Sequence, residues 1–407
     1  MKTPALFPRG VRYYGFDSLS GYGQAAAAYV RALVNAGIAV QWIPLTWAPE
    51  RMVVGAWTRS DGSRSELLGL CGTSGNLADI PALVQRTAAP VAHDTVIVHA
   101  PPESWAPLFE PGKRNIGMTV WETDRTPAHW LPLMRQADRV IVPCELNRAG
   151  FLRDGLDRSV HRVPHIRRHC WREFAPSALA DARAQLGIPA AHRVLYTINA
   201  WDPRKNMPAL IRTFAHAFDA TAPVSLLVKT SAIGRGGAPF YPEASTRELT
   251  RQAMQAAAAE TGRPSAPIVL VDAQLDGDGI DMIHALGDVY VSLTHGEGWG
   301  LGAFEAATLG KPVVMTGWGG QCEFLGDDWP GAVPYALDPV PLWPPYRPSY
   351  FPSQCWAEPD FDAAVAMLRA TLVDTQPMQS ATHAIRERIV REFAEPVVVE
   401  QLIEAIA

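Results

Sequence analysis

Short apolar runs alternate with amphipathic stretches almost from end to end of the chain. In the first half the runs are RYYGFD (12–17), AVQWIPL (39–45), TVIVHAP (95–101), RNIGMTVWE (114–122) and RVIVPC (139–144). They are short, rich in β-branched and aromatic residues, and bounded by Gly, Pro or Asp, which is the pattern of buried strands. Helical periodicity fills 22–36 and 127–138 between them. The second half repeats the plan with strands RVLYTINA, SLLVKT, PIVLVDA, DVYVSLT and KPVVMTG, and with helices expected near 207–219, 245–261, 279–286 and 302–309. Alternation on this scale predicts an α/β fold: two doubly wound, Rossmann-like domains of parallel sheet, facing one cleft. The break is expected near 166–190, where Pro176 and Pro189 interrupt the pattern. The segment 338–360 carries seven prolines among aromatics and is expected to run extended.

Composition narrows the classes. The chain has 407 residues, 48% of them hydrophobic, enough for more than one sizeable core. Its formal net charge of −5 supplies no global field for nucleic acid. Five cysteines with no CxxC pair suit a reducing compartment, and Pro8 and Arg9 interrupt any leader-like apolar run, so a cytoplasmic protein is expected. The basic run HRVPHIRRHCWRE (161–173) reads as a solvated linker, with peripheral docking to an anionic membrane face as a weaker reading. His165, His169 and Cys170 within it have a spacing open to a metal, but no second cluster stands nearby, and no metal is expected. The aromatic stretches 42–57 and 101–109 are candidate acceptor surfaces.

The chemistry concentrates in THGEGWGLGAFEAATLGKPVV (294–314). A strand runs into a Gly-rich turn, then a short helix closed by Gly310, then another strand. The free N–H groups and the dipole at the start of that helix, near Leu301 and Gly302, attract an anion, typically phosphate. Glu297 lies before the helix and Glu305 on its first turns. A carboxylate beside a phosphate is costly unless it accepts hydrogen bonds, which sugar hydroxyls supply. The pattern therefore points to a nucleotide sugar. The plainer reading is a pair of solvated acids favoured by the dipole.

EGWGLGAFEAATLGKPVV resembles the Glu-x7-Glu signature of the retaining glycosyltransferases of family four, which have the GT-B fold. It departs from the usual pattern at Gly302, where many members have proline. The likeness extends to SGYGQAAAAYVRAL (20–33), similar to the family's first Gly-rich loop and helix, and to AWDPRKNMPALIRTF (200–214), similar to its phosphate-contacting segment. It covers most of the chain. It implies an N-terminal acceptor domain over 1–170, a C-terminal donor domain over 171–388, and a last helix, about 389–407, that packs back on the first domain.

The resemblance also implies roles. Lys205 matches the lysine that binds the donor pyrophosphate, with Arg204 beside it. Leu301 and Gly302 would offer backbone amides to the phosphates. Glu305 matches the carboxylate on the donor ribose and Glu297 the one near the transferred sugar. Gly21 and Gly23, after the first strand, allow close approach of a phosphate. His99, ending a strand on the cleft edge, reads equally as ligand or as core histidine. Glu122, where some members have a nearby histidine, is a candidate to accept from sugar hydroxyls or to deprotonate the acceptor. The implied activity is metal-independent, retaining transfer of a hexose from a donor such as a UDP- or GDP-sugar to a glycan, lipid-linked or other hydroxyl acceptor, with no separate cofactor. A sugar-nucleotide epimerase or hydrolase of the same fold, and a non-catalytic nucleotide-sugar-binding protein, are the alternatives.

Overall fold

Buried strands carry the architecture. The computed structural model describes residues 8–18, 20–47, 52–54, 79–232, 234, 245–341, 349–373 and 376–407. The first sheet contains β1 (Val11–Phe16), β2 (Val40–Trp47), β3 (Met52–Val54), β4 (Thr95–His99), β5 (Arg114–Met118), β6 (Arg139–Val142) and β7 (Ser159–Arg162). Their order is β3-β2-β1-β4-β5-β6-β7, parallel except for β3 against β2. The second contains β8 (Arg193–Ile198), β9 (Val224–Lys229), β10 (Ile268–Val271), β11 (Val289–Ser292), β12 (Val313–Thr316) and β13 (Ala332–Val333), in the all-parallel order β10-β9-β8-β11-β12-β13. Helices on both faces make parallel strands such as TVIVH, VSLLVK and VVMT continuous buried runs. The strand order turns back between β1 and β4 in one sheet and between β8 and β11 in the other. The carboxyl ends at those points are where doubly wound sheets bind ligands.

Contacts divide the chain into two units. One comprises Met1–Trp121, Arg125–His169 and Val390–Ala407; the other comprises Glu122–Asp124 and Cys170–Ile389. In the first, α1 (Gly21–Asn35) begins at Ser20, whose hydroxyl accepts from the Gly23 amide. A Cβ at Gly23 would lie 2.0 Å from the Ser18 carbonyl oxygen, so this turn admits only glycine there. The last helix, α13 (Glu395–Ile406), buries Val398, Leu402 and Ile406 in the same core as Tyr29 and Leu33 of α1. The sequence predicts one last helix, about 389–407. Two are found, α12 (Gln376–Glu392) and α13, with Pro396 in the first turn of the second. The helix expected over 127–138 contracts to α3 (Trp130–Met134), because Asp138 is drawn to β5, giving its amide to Asn115 and accepting the Asn115 amide on its carboxylate.

The 161–173 stretch is not a solvated linker throughout. It opens inside β7, and Val163 and His165 are buried. Nδ1 of His165 meets the Tyr29 hydroxyl at 2.9 Å. Among the candidate acceptor aromatics, Trp42 and Trp105 lie in the core instead, Trp105 against Gly117; residues 48–51 and 55–57 lie outside the described residues.

His99, at the end of β4, is 1% exposed, and its Nδ1 meets the Tyr13 hydroxyl at 2.7 Å. Burial pushes the His99 and His165 imidazoles down to about 3. The unfolded chain protonates both below about 6.5 and the folded chain does not, so stability falls as pH drops from 6.5 toward 3. At pH 5 each histidine should cost about 2 kcal/mol relative to neutral pH. Urea unfolding at pH 7 and pH 5 checks this. His165→Asn should flatten the acid loss by its share, and an unchanged pH slope in a folded variant would contradict the neutral, buried state.

Candidate functional site

The second unit brings its charged residues together at the carboxyl ends of β8 and β11. After β8 the chain passes Asp202, whose carboxylate accepts the Arg204 amide at 3.0 Å, and makes a single 3-10 turn at Pro203–Lys205. Asn206 follows at φ 51, a left-handed conformation that asparagine tolerates, and launches α6 (Met207–Ala217). The turn aims Arg204 and Lys205 at the loop after β11. That loop is tied to it in return, with the His295 amide on the Arg204 carbonyl at 2.8 Å and the Thr294 hydroxyl on the same carbonyl at 3.1 Å.

Glu297 sits in that loop, 5% exposed. Lys205 Nζ pairs with its Oε1, and Arg204 Nη1 lies 3.3 Å from its Oε2. Arg204 Nη1 also donates to the Gly296 carbonyl, and Nη2 lies 3.4 Å from Glu122 Oε1. Burial alone would raise the Glu297 carboxyl, but Lys205 and Arg204 outweigh it and hold the group below the usual carboxylate range. The loop backbone is closed behind it by Gly320, whose amide meets the Glu297 carbonyl at 2.7 Å. His295 stacks on Trp356 at 4.3 Å, its carbonyl accepts the Ala357 amide of β15 (Cys355–Pro359) at 2.8 Å, and its Nδ1 donates to the Ala357 carbonyl at 2.9 Å.

Helix α9 spans Leu301–Thr308, with no side-chain cap at its start. Gly300 precedes it at φ 90, a conformation glycine adopts freely. A Cβ there would lie 3.6 Å from Glu297 Cγ, so the Glu297 side chain passes close to the residue that precedes the helix. At Gly302 a Cβ would lie 2.6 Å from the Tyr290 hydroxyl and 3.1 Å from the Ile198 carbonyl oxygen, so the helix start is packed against the ends of both β11 and β8. Glu305 lies on the next turn. Nε2 of the buried His284 lies 3.2 Å from its Oε2, and the Tyr196 hydroxyl lies 2.9 Å from Nδ1 of the same ring. A carboxylate only accepts, so Nε2 carries a proton and donates to Glu305.

Of the residues singled out from sequence, Arg204, Lys205, Glu297, Leu301, Gly302 and Glu305 thus occupy one region of the second unit, and Glu122 joins them from the short segment that groups with that unit. Gly21, Gly23 and His99 belong to the first unit, at its own switch point. Sequence reasoning missed Asp202, His284, Tyr196 and Tyr350, the last donating to Glu122 Oε2 at 2.9 Å. Asp202 carried a signal, since Asp before Pro is a helix-start pattern; the others carried none.

No family model matches the chain. It is 29% identical over 174 residues to the D-inositol 3-phosphate glycosyltransferase of Segniliparus rotundus, a match covering 43% of this chain and 34% of that protein's length. In structure it is similar to Anabaena HepE in complex with UDP and glucose, with a TM-score of 0.60 at 16% identity over 97% of this chain and 98% of that one. It is also similar to sucrose-phosphate synthase from Thermosynechococcus elongatus (TM-score 0.59, 16% identity, 97% of each chain) and to the trehalose-6-phosphate synthase OtsA (TM-score 0.62, 13% identity, 98% of each chain). With two Rossmann-like parallel sheets of matching extent, the chain has the GT-B fold expected from its sequence. Among the described residues no helix is long and apolar enough to cross a membrane.

Proposed function

We propose that the chain is a glycosyltransferase that takes a nucleoside-diphosphate hexose as donor, retains the anomeric configuration and needs no metal. The observation that carries this reading is the Arg204–Lys205 pair at the carboxyl end of β8, Arg204 buried and Lys205 partly buried, both on Glu297 of the loop that leads into the uncapped start of α9. Two cations and a set of free amides around one point suit a diphosphate leaving group, whose developing charge they would stabilise without reorganising. Glu305, held by His284, is placed to accept from ribose hydroxyls. Glu297 is placed to face the sugar once the phosphates take over its cations. The partial relative is a glycosyltransferase by name, two of the fold neighbours are sugar-phosphate synthases by name, and HepE was solved with UDP and glucose, which favours a UDP-sugar. A glycan or lipid-linked hydroxyl as acceptor, and work at the cytoplasmic membrane face, extend the same reading.

A thermal-shift screen over UDP-, GDP- and ADP-sugars tests it. The matching donor, at 100 times its Kd, should stabilise the protein by about 2.7 kcal/mol. Absence of a shift with every nucleotide sugar would overturn the reading. Rapid epimerisation of the free donor would favour the epimerase instead.

A further inference from the structure

Glu122 lies in a short segment bracketed onto the second unit. The Asp124 amide donates to the Cys355 carbonyl at 2.9 Å, and the Cys355 amide donates back to Asp124 Oδ1 at 2.5 Å. On the other side, a Cβ at Gly296 would lie 2.2 Å from the Glu122 carbonyl oxygen, so the two backbones touch. The Glu122 side chain is thereby aimed with little freedom, and both its oxygens are engaged: Oε1 with Arg204 at 3.4 Å, Oε2 with the Tyr350 hydroxyl at 2.9 Å. Tyr350 is itself 7% exposed and set by a turn. Gln354, 2% exposed, donates to the Ser349 carbonyl at 3.0 Å and accepts the Phe351 amide at 2.9 Å.

We infer that Glu122 and Tyr350 are positioning residues for Arg204, holding its guanidinium stretched between Glu122 and the Gly296–Glu297 loop so that it does not close on Glu297 alone. This rests on the proposed diphosphate site. An arginine with one carboxylate on offer pairs with it through two parallel hydrogen bonds. Freed from Glu122, Arg204 would take both oxygens of Glu297 and turn its fork away from the phosphate position.

Calorimetric titration of UDP, the nucleoside diphosphate without its sugar, separates the readings by sign. A positioning role weakens UDP binding in Glu122→Ala by about tenfold, the usual scale of one charge-assisted hydrogen bond. Glu122→Asp, too short to span the gap, should behave like alanine. Glu122→Gln, which keeps an acceptor for Arg204, should lose less, and Tyr350→Phe, which removes only the hydroxyl, should weaken binding in the same direction. A carboxylate acting only through its charge would do the opposite: Gln and Ala would tighten UDP, and Asp would resemble the wild type. An acceptor base would leave UDP affinity unchanged in every variant. Either outcome overturns the inference. Should the glutamate variants fail to fold, Tyr350→Phe decides alone, unchanged or tighter binding contradicting the role. A wild type that binds no UDP or other nucleoside diphosphate would instead remove the proposed site, and this inference with it.

Discussion

Replacing Glu297 with glutamine should lower turnover by about a hundredfold or more while leaving UDP bound at least as tightly as before, the loss being that of one preorganised charge facing the transition state. The two effects have opposite signs because Glu297 has two partners in succession. It pairs with Lys205 and Arg204, the two cations assigned to the diphosphate. A donor must displace it from those cations, after which the freed carboxylate faces the sugar. Glutamine removes the competitor and the catalytic charge together. It also takes the paired carboxylate from Lys205, while Arg204 keeps Glu122, and breaking a buried pair in this way costs about 3–5 kcal/mol. The variant should melt lower than the wild type when empty and recover more on adding UDP. Stopped turnover with equal loss of UDP affinity would mean that Glu297 shapes the phosphate site instead of competing for it.

Lys205→Ala should weaken UDP and the intact donor alike, by roughly ten- to a hundredfold, the scale of a charge-assisted contact worth about 1.5–3 kcal/mol. Lys205 is assigned to the part of the donor that remains in the product, so the two losses should match. Arg204 still balances Glu297 in this variant, so folding should survive. Unchanged UDP affinity by calorimetry in a folded variant would remove Lys205 from the site.

Much of the fold was legible because parallel strands covered on both faces are nearly uninterrupted apolar runs. All ten strands expected from sequence are present, including β4, TVIVH, buried at every position. Helices that begin at a side-chain cap were readable too: Ser20 before α1, and Ser245 and Asp276 before the helices Thr246–Thr261 and Gly277–Leu286. Strand β7 escaped notice because SVHR is only partly covered and has no apolar run. The helix Pro176–Gln185 buries no residue and shows no hydrophobic stripe to detect. In the site, glycine spacing marked the turn around Glu297, and the Arg-Lys pair marked the partner loop. That the two loops meet in a salt bridge was not readable, since it depends on β8 and β11 lying side by side. Tyr350 and Glu122 are 228 residues apart, and no periodicity connects them. His284 looks in sequence like any helical histidine; only the packing of its helix beside α9 turns it toward Glu305.

The position of a nucleoside diphosphate in a crystal of the complex bears most directly on the proposed site. The β-phosphate is expected about 3 Å from the Leu301 and Gly302 amides and from Lys205 Nζ, ordinary hydrogen-bonding distance. Glu297 should then be released from Lys205, and the ribose hydroxyls should lie on Glu305. A diphosphate bound elsewhere, with Lys205 still paired to Glu297, would contradict both the site and the function drawn from it.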